Sequence, residues 1–504
     1  MLKIGWSKKD VSTMDPVCIP GQFFCRVSKG ILDPIMINCL VMDDDNDCVI
    51  FLSGDFVSGY GVIDDIRAKI LESRKDIPAD KLLFSITHTH CGPLIQKMHA
   101  HFNAPHEEVN IVEPDGYHEY FVKAAAETVI DAWDNRAEGS YAYGYGYAVV
   151  GHSRRVTYLD DTSLRPEFKQ EAHQKYKPLN VNGHAKMYGK TNDDMFAGYE
   201  GGADPYVNLL YTFDKEGQLT GAIINVPCPS QNSEMEWYLS ASFWHEVRQI
   251  LAEKYGDIYM LPQCAAAGDT APRILHYKAA QERRFALKYS EMEIDSRLKN
   301  PTEKIARMDI AQRICDAFEE VLSWASKEKI IDAPIKHSTK TIYLEDRQIT
   351  EEEYEFVCNE LAEFEKMDYI HTGDVDADFR ANTIRALNLN RLNNIKKRYE
   401  AQKTSTKSPM ELHVIRLGDI AFASNAFELY QDFQHRIQAR SPFTQTFVIQ
   451  LTGQPDGYKA GYLATQRAFE NRGYSASMFC NQISAEGGHT LVEETVAELK
   501  KLYE

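Results

Sequence analysis

Residues 82–93 read LLFSITHTHCGP, and this stretch decides the fold around it. Its first five residues are mostly apolar and predict a short buried strand, which the Gly92-Pro93 pair ends. His88 and His90 follow with one residue between them, so extended backbone would point both imidazoles to the same side. In α/β enzymes chemistry collects at strand ends, and two histidines in this spacing commonly hold zinc. The alternative interpretation is a pair of hydrogen-bonded structural histidines.

Strand and helix patterns alternate on both sides of this segment. Apolar runs and turn residues predict strands at 48–52, 258–261, 412–423 and 446–451, and a hairpin at 206–226 that turns at 214–217. Helical spacing predicts helices at 59–75, 116–135, 240–255, 425–440 and 488–503. This mixture predicts an α/β (mixed α+β) fold: a multi-layered body with more than one β-sheet and peripheral helices.

Two polar stretches interrupt the pattern. Residues 160–200 are rich in Gly, Asn, Asp and Lys, which predicts a long loop that could serve as a lid. Residues 277–410 are mostly charged, and their spacing indicates helices.

The charge balance narrows the set of partners. With 504 residues and a formal net charge of -18, the surface repels phosphates and anionic bilayers. We therefore expect no nucleic-acid partner and no stable membrane association. A small-molecule substrate is the expected partner, and a homo-oligomer stays open.

Cysteine usage points to a reducing compartment. The ten cysteines are spread along the chain and include no CxxC pair, which excludes zinc-ribbon and thioredoxin-like motifs. The chain starts MLKIGWSKKD, without the apolar core of a signal peptide, and contains no run long enough to span a membrane. These features predict a cytoplasmic protein with free thiols.

Several further residues are candidates for the same chemistry. Glu428 follows an apolar strand and is predicted to open a helix, whose dipole would stabilise a carboxylate that could also ligate a metal. An ordinary first-turn glutamate is the alternative. Tyr458 and Tyr462 lie close together further on, where core or surface roles compete with metal ligation. His99 and His101 repeat the spacing of the first pair, and a solvated loop is the competing interpretation.

Two small-residue segments complete the set. Gly268-Asp269-Thr270-Ala271-Pro272-Arg273 predicts a tight turn after a strand, where backbone can approach a ligand closely. Cys228 is flanked by two prolines, so its thiol is held rigidly and could ligate metal as a thiolate. A buried structural cysteine is the alternative.

Taken in order, these motifs resemble the catalytic region of the neutral/alkaline (non-lysosomal) ceramidases. In that family a strand runs into Thr-His-Thr-His-Ser-Gly-Pro, which is Thr87-His88-Thr89-His90-Cys91-Gly92-Pro93 in this chain. The other matching segments are Gly5-Trp6-Ser7-Lys8-Lys9-Asp10-Val11-Ser12, Gly268 through Pro272, Asn425-Ala426-Phe427-Glu428, Tyr462-Leu463-Ala464-Thr465 and Gly488-His489-Thr490-Leu491.

The resemblance implies a zinc site. The family holds one Zn²⁺ through two histidines, a glutamate and a tyrosine, and the motifs carry these roles to His88, Glu428 and Tyr462. His90 corresponds to the active-site histidine beside the metal. The resemblance also implies one catalytic region over 1–504, with a helical insert at 277–410 and no C-terminal immunoglobulin-like domain.

The chain departs from the family pattern at two site positions. The second histidine ligand falls at or beside Pro227, which cannot bind zinc, so Cys228, His90 or another histidine must replace it, or the site is weakened. The serine of Gly-Asp-x-Ser-Pro falls on Ala271, next to Asp269 and Thr270, which we keep as catalytic candidates.

The resulting functional prediction is a zinc-dependent hydrolase. Water bound to the metal would attack an amide or ester bond, a route that needs no serine, and His90 would act as acid/base or steady the oxyanion. The substrate need not be ceramide, because a polar acyl or sugar-like compound fits an acidic chain equally well. The alternatives are a ligand-binding protein without catalysis and a metal-dependent lyase or epimerase on a sugar-like substrate.

Overall fold

The structure of the protein, a computed structural model, describes residues 1–166, 181–458 and 460–504. The predicted loop at 160–200 lies partly outside the described residues, because it includes 167–180. Within its described part, Ala185–Met187 and Phe196–Tyr199 are short strands on either side of Arg155–Tyr158. The lid interpretation stays a prediction.

The strands follow the chain in this order: β1 Lys3–Asp10, β2 Cys18–Ile19, β3 Arg26–Val27, β4 Met36–Asp43, β5 Cys48–Gly54, β6 Leu82–Ile86, β7 Ala137–Tyr147, β8 His152–Ser153, β9 Arg155–Tyr158, β10 Ala185–Met187, β11 Phe196–Tyr199, β12 Tyr206–Asp214, β13 Leu219–Val226, β14 Tyr259–Cys264, β15 Thr270–Ala271, β16 Ile335–Glu345, β17 Lys407–Leu417, β18 Ile420–Ser424, β19 Phe427–Leu429, β20 Gln445–Ile449 and β21 Gly461–Leu463.

The helices of the described residues are α1 Ile63–Ser73, α2 Pro114–Asp134, α3 Phe243–Tyr255, α4 Lys278–Lys288, α5 Pro301–Ala325, α6 Glu351–Glu365, α7 Val375–Ala401, α8 Gln431–Arg440, α9 Gln466–Asn471 and α10 Ala485–Tyr503. In the part of the chain that the structure describes, none of them combines the length and the apolar character needed to cross a bilayer.

An eight-stranded sheet forms the centre of the molecule. Its order is β14-β13-β12-β7-β1-β4-β5-β6, mostly antiparallel, with a parallel pair at each edge. Apolar side chains of α1 and α2 pack on one half of its outer face, and those of α3 and α5 pack on the other half. The outer layer is therefore helical, and β6 lies at an edge where the following loop can leave the sheet.

A second sheet, β16-β17-β18-β20, packs on the opposite face of the first. Phe422 lies between Phe51 of the large sheet and Phe447 of its own sheet, with ring centroids 5.0 and 4.6 Å away. Helices α8 and α10 cover the remaining face of the small sheet. The layers are thus helix, sheet, sheet and helix, which confirms the predicted mixed fold with more than one sheet.

One predicted helix begins later than its sequence pattern indicated. The helix at 425–440 was expected to include Glu428, but α8 begins at Gln431 and Glu428 lies in β19. The reason is tertiary. β19 pairs in parallel with β21, and the Leu429 N–H donates to the Gln450 side chain at 2.9 Å. These partners lie far away in the sequence. They satisfy backbone groups that the first turn of a helix would leave without a hydrogen bond.

The charged segment 277–410 contributes to both the helical and the sheet layers. It holds α4, α5, α6 and α7, and between them β16 pairs along its whole length with β17. The domain boundaries given above stay a prediction.

A largely buried ion pair joins the layers around the edge of β6. The Arg67 guanidinium of α1 donates to the Leu82 carbonyl of β6 and, at 2.7 and 3.2 Å, to both carboxylate oxygens of Glu411 in β17. His413 lies 2.9 Å from the same carboxylate. Burial opposes ionisation, but the hydrogen bonds from His413 and Arg67 outweigh it and lower the pKa of Glu411 to about 2.

We expect Glu411→Gln to lower the free energy of unfolding by about 3 kcal/mol at pH 7. The folded pKa of Glu411 lies below its unfolded value of about 4.3, so the carboxylate stabilises the fold above that pH and stops doing so as the pH falls toward 2. Urea denaturation of both proteins between pH 7 and pH 3 measures the difference, which should shrink on acidification.

Glu493→Gln is the matched control. Glu493 also pairs with an arginine, Arg440, but both side chains are more than two-fifths exposed, so its loss should change stability much less. Equal effects of the two substitutions at pH 7 would contradict a structural role for the buried pair.

Candidate active site

The two histidines of the THTH motif lie beyond the end of β6 and still come together. His88 has a φ of +60°, so the backbone turns there instead of continuing as a strand. Left-handed backbone is strained for a histidine and occurs most often where function requires it. The ring centroids of His88 and His90 are 5.0 Å apart, and their Nε2 atoms are separated by 3.4 Å.

The protonation of His88 follows from its partners. Its Nδ1 lies 2.6 Å from the Val57 carbonyl oxygen, which can only accept, so Nδ1 carries the proton. The lone pair is then on Nε2, which lies 3.5 Å from Oε2 of Glu428. A histidine held by a carbonyl at one nitrogen and open at the other has the arrangement of a metal ligand.

Glu428 and Tyr462 are neighbours across the β19–β21 pair. They occupy the same register position of two parallel strands, and both side chains are largely buried. Burial disfavours the Glu428 carboxylate, but the charge of Arg154 and the hydrogen bond from the Tyr462 hydroxyl hold its pKa below the ordinary value. Burial raises the pKa of the Tyr462 hydroxyl well above 10.

Arg154 organises the site, and the sequence reasoning did not identify it. It lies between β8 and β9 with its side chain 2% exposed. Its Nη2 donates to the Tyr462 hydroxyl and the Gly268 carbonyl at 3.0 Å each, and to Glu428 at 3.5 Å. The available signal was the Arg154-Arg155 pair after a strand, and charged side chains are rarely buried unless they are paired.

His90 is held by Gln231, a second residue that the sequence reasoning missed. The Gln231 amide accepts from Arg154 at 3.3 Å through its oxygen, which turns its nitrogen toward His90 Nε2 at 2.7 Å. Nε2 of His90 is therefore the acceptor and its Nδ1 carries the proton. Burial holds the pKa of His90 well below 6.5, so the ring is neutral.

The remaining predicted site residues lie around this centre. Cys228 is buried, its thiol donates to the Pro229 carbonyl, and it does not complete a group of three ligand atoms with His88 and Glu428 within 4.8 Å of one another. The segment 226–231 thus contacts the site through the Gln231 side chain, which bonds to His90, and not through the Cys228 thiol.

Asp269 and Thr270 lie beside the backbone of Arg154, where β15 pairs with β8. The Asp269 carbonyl accepts from the Arg154 backbone N–H at 3.1 Å, and its carboxylate accepts from the Gln431 N–H at 3.1 Å. Burial raises the pKa of Asp269 to about 6. The Thr270 hydroxyl is fully buried and donates to the Pro227 carbonyl at 3.3 Å.

Two cavities meet at Glu428. The smaller, about 210 Å³, is lined by His88 and the 57–60 loop, and the larger, about 640 Å³, extends past Tyr462 to helix α7. Tyr60, Tyr458, Phe479, Lys397 and Arg398 line the larger cavity. Helix α7 comes from the charged segment 277–410, which thereby supplies one wall of the opening.

The donor set fits a zinc-class ion. An imidazole nitrogen with its lone pair available, a carboxylate and a phenol oxygen are ligand types that such ions accept. His88, Glu428 and Tyr462 would hold the ion. By the resemblance, the second histidine ligand of the ceramidases falls at or beside Pro227. His90 lies beside the other donors with its Nε2 bonded to Gln231.

Comparison with solved structures agrees on the fold. The chain is similar to neutral ceramidase from Pseudomonas aeruginosa, with a TM-score of 0.64, 14% sequence identity and coverage of 99% of this chain and 75% of that one. It is equally similar to a ceramidase complexed with C2, at 12% identity, a TM-score of 0.64 and coverage of 100% and 75%. No protein-family model and no curated protein sequence matches the chain. At this identity the likeness establishes a ceramidase-like fold.

We expect Arg154→Met to destabilise the protein by about 3–5 kcal/mol, because it leaves Glu428 buried without its cationic partner. Arg154→Lys should cost less, since it keeps the charge and loses only the fork of donors. Guanidinium denaturation at neutral pH measures both. An Arg154→Met protein as stable as wild type would show that the guanidinium does not hold the site together.

Proposed function

We propose that the protein is a metal-dependent hydrolase that cleaves an amide or ester bond, with its metal held by His88, Glu428 and Tyr462. The observation that carries this proposal is that His88 and Tyr462 both lie beside Glu428, at the point where two cavities meet. The hydrogen bond from His88 Nδ1 to the Val57 carbonyl supports it further, because it leaves Nε2 as the ligand atom.

A zinc-class ion, when bound, lowers the pKa of its water and polarises a carbonyl oxygen. The chain's own residues supply the rest. The Glu428 carboxylate offsets positive charge in the pocket. The Arg154 guanidinium presents a fixed N–H toward Tyr462 and Glu428, where it can stabilise negative charge that develops on a carbonyl oxygen.

His90 is the acid/base residue of this proposal. Its ring is neutral and its Nε2 acceptor lies 3.4 Å from His88 Nε2, at the edge of the donor set. Gln231 fixes the ring orientation through Nε2. Asp269 and Thr270 take no direct part in this scheme, because their side chains bond to main-chain groups of Gln431 and Pro227.

The cleft favours a polar substrate. Lys397 is an exposed cation on the cleft wall, in a chain whose net charge is -18, and it would attract an anionic substituent. Tyr60, Tyr458 and Phe479 offer ring faces for an acyl chain or a sugar ring. An N-acyl or sugar-like amide with an acidic group is thus the proposed substrate class, and a cytoplasmic location stays a prediction.

A ligand-binding protein without catalysis is the second candidate. Two observations favour it: proline at position 227 removes the family's second histidine, and Ala271, at the serine position, is fully buried in the β8–β15 pair. Product analysis separates hydrolysis from lyase or epimerase chemistry, and turnover itself separates both from binding.

We expect His88→Ala and Glu428→Ala each to bind one equivalent of zinc fewer than wild type, because each removes a donor from the same ion. Metal analysis after chelator treatment and reloading with zinc measures the difference. His106→Ala is the control, since His106 pairs with Glu113 near the surface, outside the pocket. Equal metal content in wild type and both site variants would overturn the ligand assignment.

We expect zinc-loaded wild type to hydrolyse members of a panel of N-acyl amides and esters. Tyr462→Phe should lower kcat/KM by about 10–100-fold, because it removes an oxygen ligand from the ion. Mass spectrometry of the products identifies the bond cleaved. No turnover of any amide or ester by protein with a full zinc complement would place the binding function first.

A further inference from the structure

A second cluster of metal-ligand side chains lies apart from the pocket. Cys18 is in β2, Cys25 immediately precedes β3, and His101 is in the 3₁₀ turn Ala100–Asn103. One ligand atom from each lies within 4.8 Å of the others, and the two sulfurs are 3.1 Å apart. Among the residues that the structure describes, no other three Cys, His, Asp or Glu side chains meet this closely.

The environment of His101 points to a ligand. Its side chain is fully buried, and neither ring nitrogen has a hydrogen-bond partner. Buried polar groups in folded proteins are nearly always paired, so an imidazole with two unpaired nitrogens requires an explanation. The cluster is enclosed by apolar side chains, namely Leu94, Ala104, Phe379 and Ala386, which offer it no hydrogen bond.

We propose that Cys18, Cys25 and His101 hold a second zinc-class ion. Two thiolates and an imidazole are the donors that Zn²⁺ takes in closed protein sites, whereas Mg²⁺ and Ca²⁺ require oxygen. Three protein ligands leave one position of a tetrahedral ion for an exogenous ligand. The ring of His99 lies 4.3 Å from that of His101, so the other histidine of this pair also lies beside the site.

Ion binding would displace thiol protons. The Cys25 thiol donates to the Cys18 sulfur, and zinc takes cysteine as the thiolate. Affinity should therefore rise with pH, because each thiolate forms by losing a proton to solvent.

The position of the cluster gives the ion a structural role. It joins the β2–β3 hairpin to the 3₁₀ turn, and the Leu94 N–H donates to the Cys18 carbonyl at 2.9 Å. Arg26, next to Cys25, donates from its guanidinium to the His90 carbonyl. Gly21, within the hairpin loop, packs against the His90 ring so closely that a Cβ would lie 2.8 Å from it. An ion here would hold in place the β2–β3 hairpin, which contacts His90, without entering the pocket.

Cobalt substitution distinguishes this ion from the one in the proposed active site. Zinc-free His88→Ala protein, prepared under reducing conditions, is titrated with Co²⁺. We expect it to bind one equivalent and to show the near-ultraviolet thiolate-to-cobalt absorption, which a site of histidine, carboxylate and tyrosine cannot give. Adding Cys25→Ser or His101→Ala to this background should weaken Co²⁺ binding at least ~10-fold.

Cys315→Ser in the same background is the control. Cys315 is also fully buried, but it lies in α5 against Val247, so its loss should leave the absorption unchanged. The loss of one equivalent of zinc between wild type and His88→Ala tests the active-site proposal, whereas the thiolate absorption of His88→Ala tests only this second site, and its absence would overturn the second site.

A measurement on wild type avoids the risk that a variant fails to fold. Zinc-loaded protein is treated with an alkylating reagent before and after chelation, and the labelled peptides are identified by mass. We expect labelling of Cys18 and Cys25 to accelerate at least tenfold after chelation. Equal labelling rates with and without chelator would overturn the proposal. So would a protein that takes up no thiolate-bound metal and forms a covalent Cys18–Cys25 disulfide when it is reduced and then reoxidised.

Discussion

The buried guanidinium of Arg154 is the interaction on which the site depends. It brings together Glu428 and Tyr462 from the β19–β21 pair, the carbonyl of Gly268 and the amide of Gln231. A carboxylate buried as deeply as that of Glu428 is unfavourable unless a charge or a metal compensates it. Arg154 supplies that compensation within the protein, so the pocket can form before any ion enters it.

The layered fold explains why these groups meet. β6 is the edge strand of the large sheet, and the chain turns at His88 as soon as it leaves that edge. β19 and β21 lie beyond the small sheet, which packs face to face on the large one. The pocket therefore lies where elements of the two sheets meet, a common place for ligands because neither layer alone encloses it.

Support for the pocket comes from two sides. Asp269 and Thr270 hold the backbone around Arg154 on one side, through bonds to main-chain groups. On the other side the β2–β3 hairpin bears on His90 through Arg26 and Gly21. Rigid surroundings of this kind keep a histidine ring in one orientation, which is what an acid/base residue needs.

Local patterns in the sequence determined much of the frame. The strand Leu82–Ile86 and the hairpin formed by β12 and β13 were predictable because alternation and turn residues act over a few neighbours. The spacing of the histidines in the THTH motif also predicted that the two rings share one space, and their centroids lie 5.0 Å apart. Tertiary structure alone decided that Glu428 belongs to a strand, that Gln231 and not Cys228 reaches His90, and that Arg154 lies at the centre. Each of these depends on contacts between residues far apart in the chain, whose hydrogen bonds and charges outweigh local preference only once the layers have packed.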